Sequence, residues 1–535
     1  MTTVILQIFL LGSLFIGALN IRSRTILYYD EVLDINPINS LSQGCSQLNE
    51  FSGARVIFDC FPMFASTQYQ GTLRAFLFYP LVKLNLLNAQ SFVLVNLTLF
   101  IFTIWILYAL LLTVSKRKFL ALTMVILFAV QPDVWTLILF DLGPVSTQMA
   151  LRSFLLFSVW NDIKKQQICS KSTLILSGLL IWGKLDGIWF VSGLVVGQLL
   201  VLRWEKYKKA FNLTALLLIV GCILSGVVAY IISRSQDSMQ ISVPLKTKIL
   251  SQAPNDLLTG ITNLVVPNAS NFSKLLSVPL ILLFCAAILG LFNFKLSRNS
   301  IGYQFYSLLR VLNLIILIFW IITPRATAPW HTNSFFPSSI ALICCWITLI
   351  QENRNTLFMK VRSRIVSTNL ISTTLFFTLF FSAISSSASL IQLKYGALNP
   401  LFSKDLAVAF NNIQLTKKSN HVLVFSSWGI HGPVVMDNSF SKVPTSTQVL
   451  DAWPWYSGGI NKQSEDFFQW QLSQGRMFKY KTFTFVEINP SSLGSSGDLQ
   501  KYVTDSMRLC VTSARNIQIS QSRSYLTVVE AQRSC

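Results

Sequence analysis

The stretch Thr2–Asp34, TTVILQIFLLGSLFIGALNIRSRTILYYDEVLD, decides the fold class because a long apolar run leads directly into a pair of carboxylates. The apolar part, residues 3–21, has the length that a helix needs to cross the hydrocarbon core of a bilayer. It is too long for a removed signal peptide and no small-residue cleavage site follows it, so we interpret it as a retained anchor. Asp30 and Glu31 follow where the chain would leave the bilayer, although charged residues are only 12% of the protein.

The composition extends this interpretation to most of the chain. Its 535 residues are 52% hydrophobic and have a mean hydropathy of +0.54, which is more apolar than a soluble protein of this length needs to be. The apolar runs predict about eleven transmembrane helices. They lie at residues 3–21, 89–114, 119–139, 144–160, 173–183, 188–202, 210–232, 276–294, 304–322, 334–350 and 367–388. The net charge of +21 is scattered over separate loops, which does not favour nucleic-acid binding.

Alternate loops between these runs differ in charge. The basic loops are SKRK (115–118), NDIKKQQICSK (161–171), RWEKYKK (203–209), FKLSR (294–298) and RNTLFMKVRSR (354–364). The nearly uncharged loops are FDLGP (140–144), GKLDG (183–187) and TPRATAPWHTN (323–333). Because cytoplasmic loops carry an excess of Lys and Arg, we expect a multi-pass protein of the plasma (inner) membrane with a cytoplasmic N-terminus. The acidic pair and the C-terminal tail are then extracytoplasmic.

Two domains are predicted. Residues 1–390 would form a helical transmembrane domain with a long first extracytoplasmic loop at 22–88. Residues 391–535 would form an extracytoplasmic α+β domain, because strand-like runs there alternate with Gly, Ser, Pro and Asn clusters. Those runs are HVLVFSSW (421–428), KTFTFVEI (481–488) and SYLTVVE (524–530).

Four of the nine cysteines fall in the predicted outer regions. An even number in an oxidising compartment permits two disulfides. We predict the pairs Cys45–Cys60 and Cys510–Cys535, because the members of each pair are close in sequence and share a segment.

Ionisable side chains also gather at the predicted outer ends of the spans. Asp141 lies among apolar residues, Lys184 and Asp186 lie in the next outer loop, and Arg74 and Arg325 lie in other outer segments. Charged groups at membrane depth are costly and are usually functional. A carboxylate in apolar surroundings has a raised pKa and can act as a general base, and cations beside it can hold a phosphate. The alternative for the acidic pair is a helix cap or a membrane-exit feature.

Several short motifs together resemble the GT-C glycosyltransferases, a group that includes the protein O-mannosyltransferases and the lipid A aminoarabinose transferase. The motifs are the acidic pair after the first span, YQG (69–71), FYP (78–80), DLGPV (141–145), TPRATAPWHTNSFFP (323–337) and SSWGIHGPV (426–434). The resemblance implies a polytopic enzyme that uses a polyprenyl-phosphate sugar. Its acceptor would be a glycan, lipid or protein on the extracytoplasmic face.

The resemblance also implies roles for individual residues in an inverting transfer. Asp30 would be the general base that deprotonates the acceptor, Glu31 would orient the acceptor or a cation, and Asp141 would assist at the second outer loop. Lys184 and Arg325 would hold the lipid phosphate. The remaining predicted substrate-binding residues are Arg74, Asp186 and His331. The sequence requires no metal ligand set, although a divalent cation could bridge the carboxylates and the phosphate.

Two other classes remain open at this stage. A transporter or lipid flippase would also be polytopic with charges at membrane depth, but the sequence has neither repeated halves nor a matching pair of helices broken by Gly or Pro. A non-catalytic relative with the same fold is the other alternative. The large first outer loop and the outer domain suit an enzyme that must bind an acceptor.

Overall fold

The computed structural model describes nine of the eleven predicted spans and much of the predicted C-terminal domain. The described residues are 2–28, 31–32, 35, 73–141, 143–165, 170–184, 186–201, 300–322, 335–352, 368–395, 398–413, 421–426, 430–441, 443, 447–451, 480–490, 496–519 and 524–533.

Eleven helices come first along the described chain. They are α1 Thr2–Arg22, α2 Leu73–Lys83, α3 Ala89–Ser115, α4 Lys118–Ala129, α5 Pro132–Leu139, α6 Val145–Lys164, α7 Lys171–Gly183, α8 Gly187–Val201, α9 Ile301–Ile322, α10 Phe336–Glu352 and α11 Thr368–Tyr395. The C-terminal part follows with a 3₁₀ turn Pro400–Phe402, α12 Lys404–Asn411, β1 His421–Phe425, α13 His431–Met436, β2 Thr447–Asp451, β3 Thr482–Pro490, α14 Ser496–Lys501, a π turn Tyr502–Ser506, β4 Cys510–Gln518 and β5 Ser524–Gln532.

Helices occupy nine of the predicted spans, and one of these predictions needs a correction. The run 119–139 is not one helix but two, α4 and α5, separated at Val130 and Gln131. Pro132 begins α5, where its missing N–H costs nothing. The predicted spans 210–232 and 276–294 lie outside the described residues.

Two of the described helices are long and apolar enough to cross a membrane, namely Ala89–Ser115 and the part Ile301–Phe319 of α9. Shorter apolar helices accompany them at Leu11–Arg22, Lys118–Ala129, Lys171–Gly183, Gly187–Gln198 and Phe336–Glu352. The helical part is therefore apolar along most of its described length, as the composition predicts.

The chain divides into two compact units. Unit 1 comprises residues 1–21, 68–74 and 93–396, and unit 2 comprises 22–67, 75–92 and 397–535. In unit 1, the buried Trp135 ring packs edge-on against Phe15 and Phe100, with centroids 5.3 and 5.5 Å away. Helices α8 and α9 also pack closely. A Cβ added to Gly193 would lie only 2.7 Å from Leu312 Cδ1, so glycine permits this approach. Small residues that let helix backbones approach are typical of helix pairs in membranes.

Unit 2 is built on a five-stranded mixed sheet with the order β2-β1-β3-β5-β4. Strand β1 pairs in parallel with β2 and β3, whereas β5 pairs antiparallel with β3 and β4. The strands predicted at 421–428, 481–488 and 524–530 are confirmed as β1, β3 and β5. The two strands that the sequence did not reveal, β2 and β4, are the edges of the sheet.

Both faces of the sheet carry an apolar core, because alternate residues of a strand point to opposite sides. On one face, Leu423 and Phe425 pack with Leu406 and Phe410 of α12. On the other face, Val422 and Val424 of the same strand join a second cluster. The first cluster also contains Ile26, a residue from the segment that follows α1.

The cysteines are partly described. Cys344 and Cys345 are buried free thiols in α10. Cys510 is disulfide-bonded, whereas its predicted partner Cys535, like Cys45 and Cys60, lies outside the described residues. The two pairings stay predictions.

Candidate functional site

The acidic pair is described at Glu31, whereas Asp30 lies outside the described residues. Glu31 is fully buried, and its Oε2 accepts hydrogen bonds from Arg22 Nη2 and from the Tyr28 backbone N–H, both at 2.8 Å. Arg22, at the end of α1, also donates from Nε to the carbonyl of Ala89 at 3.3 Å. Glu31 therefore holds the backbone at Tyr28, two residues before Asp30.

The segment that precedes the acidic pair is bonded to the start of the C-terminal sheet domain. Ile26 N–H donates to the Phe402 carbonyl at 3.0 Å, and Lys404 N–H donates to the Arg24 carbonyl at 3.1 Å. The Tyr28 ring stacks on the Phe402 ring with centroids 4.3 Å apart and planes inclined by 10°. Backbone and ring contacts thus fix this segment as part of unit 2.

A carboxylate of the sheet domain, Asp437, touches the same segment. Its Oδ2 accepts the Leu27 N–H at 2.6 Å, and its Oδ1 accepts the Ser439 N–H at 2.8 Å. Burial raises the pKa of Asp437 above its ordinary value of 3.8, while these hydrogen bonds and the nearby Arg22 act in the opposite direction. No local sequence pattern marks Asp437 as a site residue, although the stretch SSWGIHGPV ends three residues before it.

Asp141 belongs to unit 1 and lies at the start of α6. Its Oδ1 accepts the N–H groups of Val145 at 2.8 Å and Ser146 at 3.3 Å, and its Oδ2 accepts the Ser146 hydroxyl at 2.8 Å. Arg74 Nη2 lies 2.8 Å from the same Oδ2, with both side chains fully buried. A carboxylate beside exposed N–H groups at a helix N-terminus stabilises that helix.

The pKa of Asp141 is raised above its ordinary value of 3.8 by burial. The Arg74 guanidinium and the hydrogen bonds from Ser146 and Val145 oppose this shift. The acceptor capacity of the carboxylate is thus directed toward its own helix and toward Arg74.

The second cluster of charged side chains in unit 1 consists of one carboxylate, Asp186, and two cations, Arg152 and Lys184. Asp186 Oδ1 lies 3.2 Å from Arg152 Nη2, and its Oδ2 lies 3.5 Å from Lys184 Nζ. The charges of these three side chains sum to +1, and all three are buried. Arg152 therefore pairs with Asp186.

These charges are held at one end of helices α6 and α7. Gln148, one turn before Arg152, donates to the Leu180 carbonyl at 3.1 Å. A Cβ at Gly183 would lie 2.7 Å from Gln148 Nε2 and 3.6 Å from Leu73 Cδ2, so Gly183 permits the close approach of the turn that carries Lys184. Leu73 immediately precedes Arg74, which connects the two charged groups through neighbouring residues.

The predicted site residues thus fall into separate groups. Arg74 and Asp141 form one pair, and Lys184 and Asp186 form another contact. Glu31 lies in unit 2. Arg325 and His331 lie outside the described residues, as does Asp30. Within the described ranges, no group of three or more His, Cys, Asp or Glu side chains is arranged to hold a metal ion.

Comparison with known proteins gives a likeness of fold. No protein-family model and no curated protein sequence matches this chain significantly. Among solved structures, the chain is similar to ArnT from Cupriavidus metallidurans in the apo state, with a TM-score of 0.55, 11% identity, and coverage of 99% of this chain and 98% of that one. The same protein bound to undecaprenyl phosphate gives a TM-score of 0.54 with the same identity and coverage.

A further match is the archaeal oligosaccharyltransferase AglB from Archaeoglobus fulgidus, in complex with an inhibitory peptide and a dolichol-phosphate. Its TM-score is 0.46 and its identity 10%, with coverage of 89% of this chain and 69% of that one. The likeness to ArnT extends over nearly the whole of both chains. The chain therefore has a fold like that of ArnT over nearly its whole length.

Proposed function

We propose that this chain is a membrane glycosyltransferase that transfers a sugar from a polyprenyl-phosphate donor to an acceptor on the extracytoplasmic face. The observation that carries the proposal is the likeness in fold to ArnT over 99% of this chain, together with the undecaprenyl phosphate bound in one of the ArnT structures. Such a donor has a long apolar chain and an anionic head. Helix α3 exposes Ile101, Phe102 and Trp105, a surface suited to lipid chains.

The buried cations of unit 1 support binding of the anionic head. Lys184 has three N–H donors, and its Nζ lies 3.5 Å from Asp186 Oδ2. Arg152 keeps the Asp186 carboxylate paired, so Lys184 can turn toward a phosphate without leaving that carboxylate alone. We assign Lys184 and Arg325 to the lipid phosphate, with Arg74, Asp186 and His331 as supporting residues of the substrate site.

The proposed reaction is a single displacement with inversion. The Asp30 carboxylate takes the proton of the acceptor hydroxyl or amine, and the acceptor atom attacks the anomeric carbon of the sugar. The bond between that carbon and the phosphate oxygen breaks, and the electron pair leaves with the lipid phosphate. Lys184 and Arg325 stabilise the charge that develops on the leaving phosphate.

Glu31 and Asp141 take positioning roles in this proposal. Glu31 accepts from Tyr28 N–H and Arg22, which supports a role in holding the backbone beside Asp30 rather than in contacting the acceptor. Asp141 orders the start of α6 and holds Arg74. Whether transfer requires a divalent cation is tested separately, by comparing Mg²⁺ with EDTA in the assay.

The experiment is a transfer assay with the full chain in lipid nanodiscs. Synthetic polyprenyl-phosphate sugars are offered with hydroxyl and amine acceptors, in parallel with Mg²⁺ and with EDTA. We expect release of polyprenyl phosphate in equal amount to glycosylated acceptor, with the anomeric configuration inverted. Loss of either Lys184 or Arg325 should weaken donor use, and Arg325→Lys should also be impaired, because Lys lacks the planar fork of Arg.

Two outcomes contradict the proposal. In sealed vesicles, movement of intact sugar lipid from one leaflet to the other, with no transfer to any acceptor, would identify a flippase. Binding of polyprenyl phosphate with neither transfer nor movement would identify a non-catalytic relative.

A further inference from the structure

We propose that Asp437, a carboxylate of the C-terminal sheet domain, is a positioning residue for the general base Asp30. The inference rests on the proposed function, in which Asp30 takes the acceptor proton. It adds that the sheet domain sets the geometry of the catalytic segment. Asp437 acts through the backbone of residues 26–28 and does not itself touch substrate.

The location of Asp437 is fixed by the core of its own domain. It directly follows α13, and its N–H donates to the Pro433 carbonyl at 2.8 Å. Val434 of that helix is buried in the cluster that also contains Phe410 and Phe425. Asp437 is therefore presented from a packed part of the sheet domain rather than from a loose loop.

The segment that Asp437 contacts enters the same core. Ile26 is fully buried in the cluster formed with Leu406 and Phe410. Thr25 forms an antiparallel bridge with Ser403, next to the Phe402 carbonyl that accepts from Ile26. The sheet domain thus surrounds the segment before the acidic pair with both apolar and backbone contacts.

Three consecutive N–H groups of this segment have three separate acceptors. The N–H of Ile26 donates to Phe402 O, that of Leu27 to Asp437 Oδ2, and that of Tyr28 to Glu31 Oε2. Asp437 is the side chain of the sheet domain in this series, and its 2.6 Å contact is the shortest of the three. A hydrogen bond from a backbone N–H to a carboxylate is among the stronger ones.

The covalent chain carries this constraint to Asp30. Asp30 is bonded to Glu31 and is separated from Tyr28 by one residue. A displacement of the backbone at Leu27 must therefore be absorbed within a few bonds of the general base. Misplacement of a reacting group by about 1 Å can cost roughly 100-fold in rate.

Burial supports a positional role as well. Asp437 is 3% exposed, and keeping a carboxylate there is costly unless its hydrogen bonds are needed. The simpler alternative is that Asp437 only orders its own turn through Ser439 N–H. The two roles differ in whether removal of the carboxylate changes backbone hydrogen exchange in residues 22–32.

The first arm of the test does not require activity. Backbone hydrogen exchange is measured on the full chain in nanodiscs, for the wild type and for Asp437→Ala. We expect the Leu27 amide to exchange about 10-fold faster or more in the variant. Glu530→Ala, which removes a half-exposed carboxylate paired with Arg515 on the same sheet, is the matched control and should leave residues 22–32 unchanged.

The second arm measures transfer per folded molecule. Asp437→Ala should lower kcat by about 10- to 100-fold with an unchanged KM for the lipid donor, because misplacement of the base leaves donor binding intact. Asp437→Asn keeps one acceptor oxygen and should show a smaller loss, so it serves if the alanine variant folds poorly. In an Asp30→Asn background, Asp437→Ala should cost less than about 3-fold, because residues that act together are not additive.

The outcomes separate this inference from the proposed function. Unchanged exchange at Leu27, unchanged kcat per folded molecule, or an equal loss in the Asp30→Asn background would each overturn the positioning role while transfer by the wild type stands. If the wild type transfers no sugar, the proposed function fails and the catalytic role of Asp437 fails with it. The exchange arm then still decides whether Asp437 holds the segment.

Discussion

Two buried ion pairs, Arg22–Glu31 in unit 2 and Arg74–Asp141 in unit 1, have the same geometry and different surroundings. In each, a guanidinium nitrogen lies 2.8 Å from a carboxylate oxygen and both side chains are fully buried. The Asp141 carboxylate also accepts hydrogen bonds from the N–H groups of Val145 and Ser146, the first residues of α6. Glu31 reaches back to Tyr28, in a segment held by the sheet domain.

The difference shows that burial and distance alone do not reveal what a charged pair does. The Asp141 pair orders the helix that follows it, and Arg74 supports the substrate site only through that helix. Loss of the pair should therefore lower stability more than it lowers the rate of transfer per folded molecule. The Glu31 pair holds the backbone next to the proposed general base, so its loss should be felt in the rate of transfer as well. Variants in both pairs can separate these effects.

The largest expected effect is on the pair in unit 1. Asp141→Ala leaves the Arg74 charge buried without its carboxylate and should lower the free energy of unfolding by about 3–5 kcal/mol. Replacing both partners, as Arg74→Met with Asp141→Leu, should recover most of this loss. Chemical denaturation in detergent provides the measurement. A mild effect of Asp141→Ala, or no recovery in the double variant, would contradict a closed structural pair.

A smaller effect is expected at Glu31. Glu31→Gln keeps an oxygen for the Tyr28 N–H but removes the charge opposite Arg22, and should lower kcat by roughly 10-fold at constant donor KM. The Arg74→Met and Asp141→Leu double variant should keep more activity per folded molecule than Glu31→Gln. If a steady-state transfer assay shows that Glu31→Gln keeps more activity per folded molecule than the double variant, the assignment of the catalytic effect to the Glu31 pair is wrong.

The cluster of Arg152, Lys184 and Asp186, with its net charge of +1, gives a third test. Lys184→Ala should weaken binding of undecaprenyl phosphate about 10-fold, since a hydrogen bond to a charged group contributes about 1.5–3 kcal/mol. Folding should change little, because Arg152 still pairs with Asp186. Lys83→Ala, at an exposed lysine near the Tyr79 ring, is the control. If both variants bind undecaprenyl phosphate equally well, Lys184 does not bind the phosphate and has only a structural role.

The smallest expected effect is a pH dependence at Asp437. Its folded pKa is raised by burial, so its contribution to stability is complete below the ordinary value of 3.8 and is lost as the pH rises through the raised value. The wild type should therefore lose stability relative to Asp437→Asn on going upward from about pH 4. Thermal unfolding of both proteins across this interval measures the difference. A constant difference would mean that burial does not raise this pKa.

The sequence predicted those elements whose signal is local. Long apolar runs located α3 and α9, and alternating β-branched and aromatic residues located β1, β3 and β5. The edge strands β2 and β4 were missed because an edge strand buries fewer side chains; in β4, CVTSARNIQ is largely polar and exposed. The break before Pro132 was also missed, because apolar residues continue through both helices.

The candidate site was only partly predictable for a different reason. The acidic pair, Asp141 and the Lys184–Asp186 contact follow from charges placed at the ends of apolar runs. The contact between Leu27 and Asp437 joins residues 410 positions apart, and no local pattern marks it. The pairing of Arg22 with Glu31 was missed because Arg22 reads as an ordinary basic residue at the end of a helix.

If Asp30 is the general base of a sugar transfer from a polyprenyl phosphate, Asp30→Asn should remove most of that activity. Asn keeps the size of the side chain, removes proton acceptance, and caps a helix about as well as Asp. With saturating donor, turnover should fall by about 10²- to 10⁴-fold while undecaprenyl phosphate is still bound. Transfer by Asp30→Asn at nearly the wild-type rate would show that Asp30 is not the general base and would leave the acidic pair as a feature of the membrane exit.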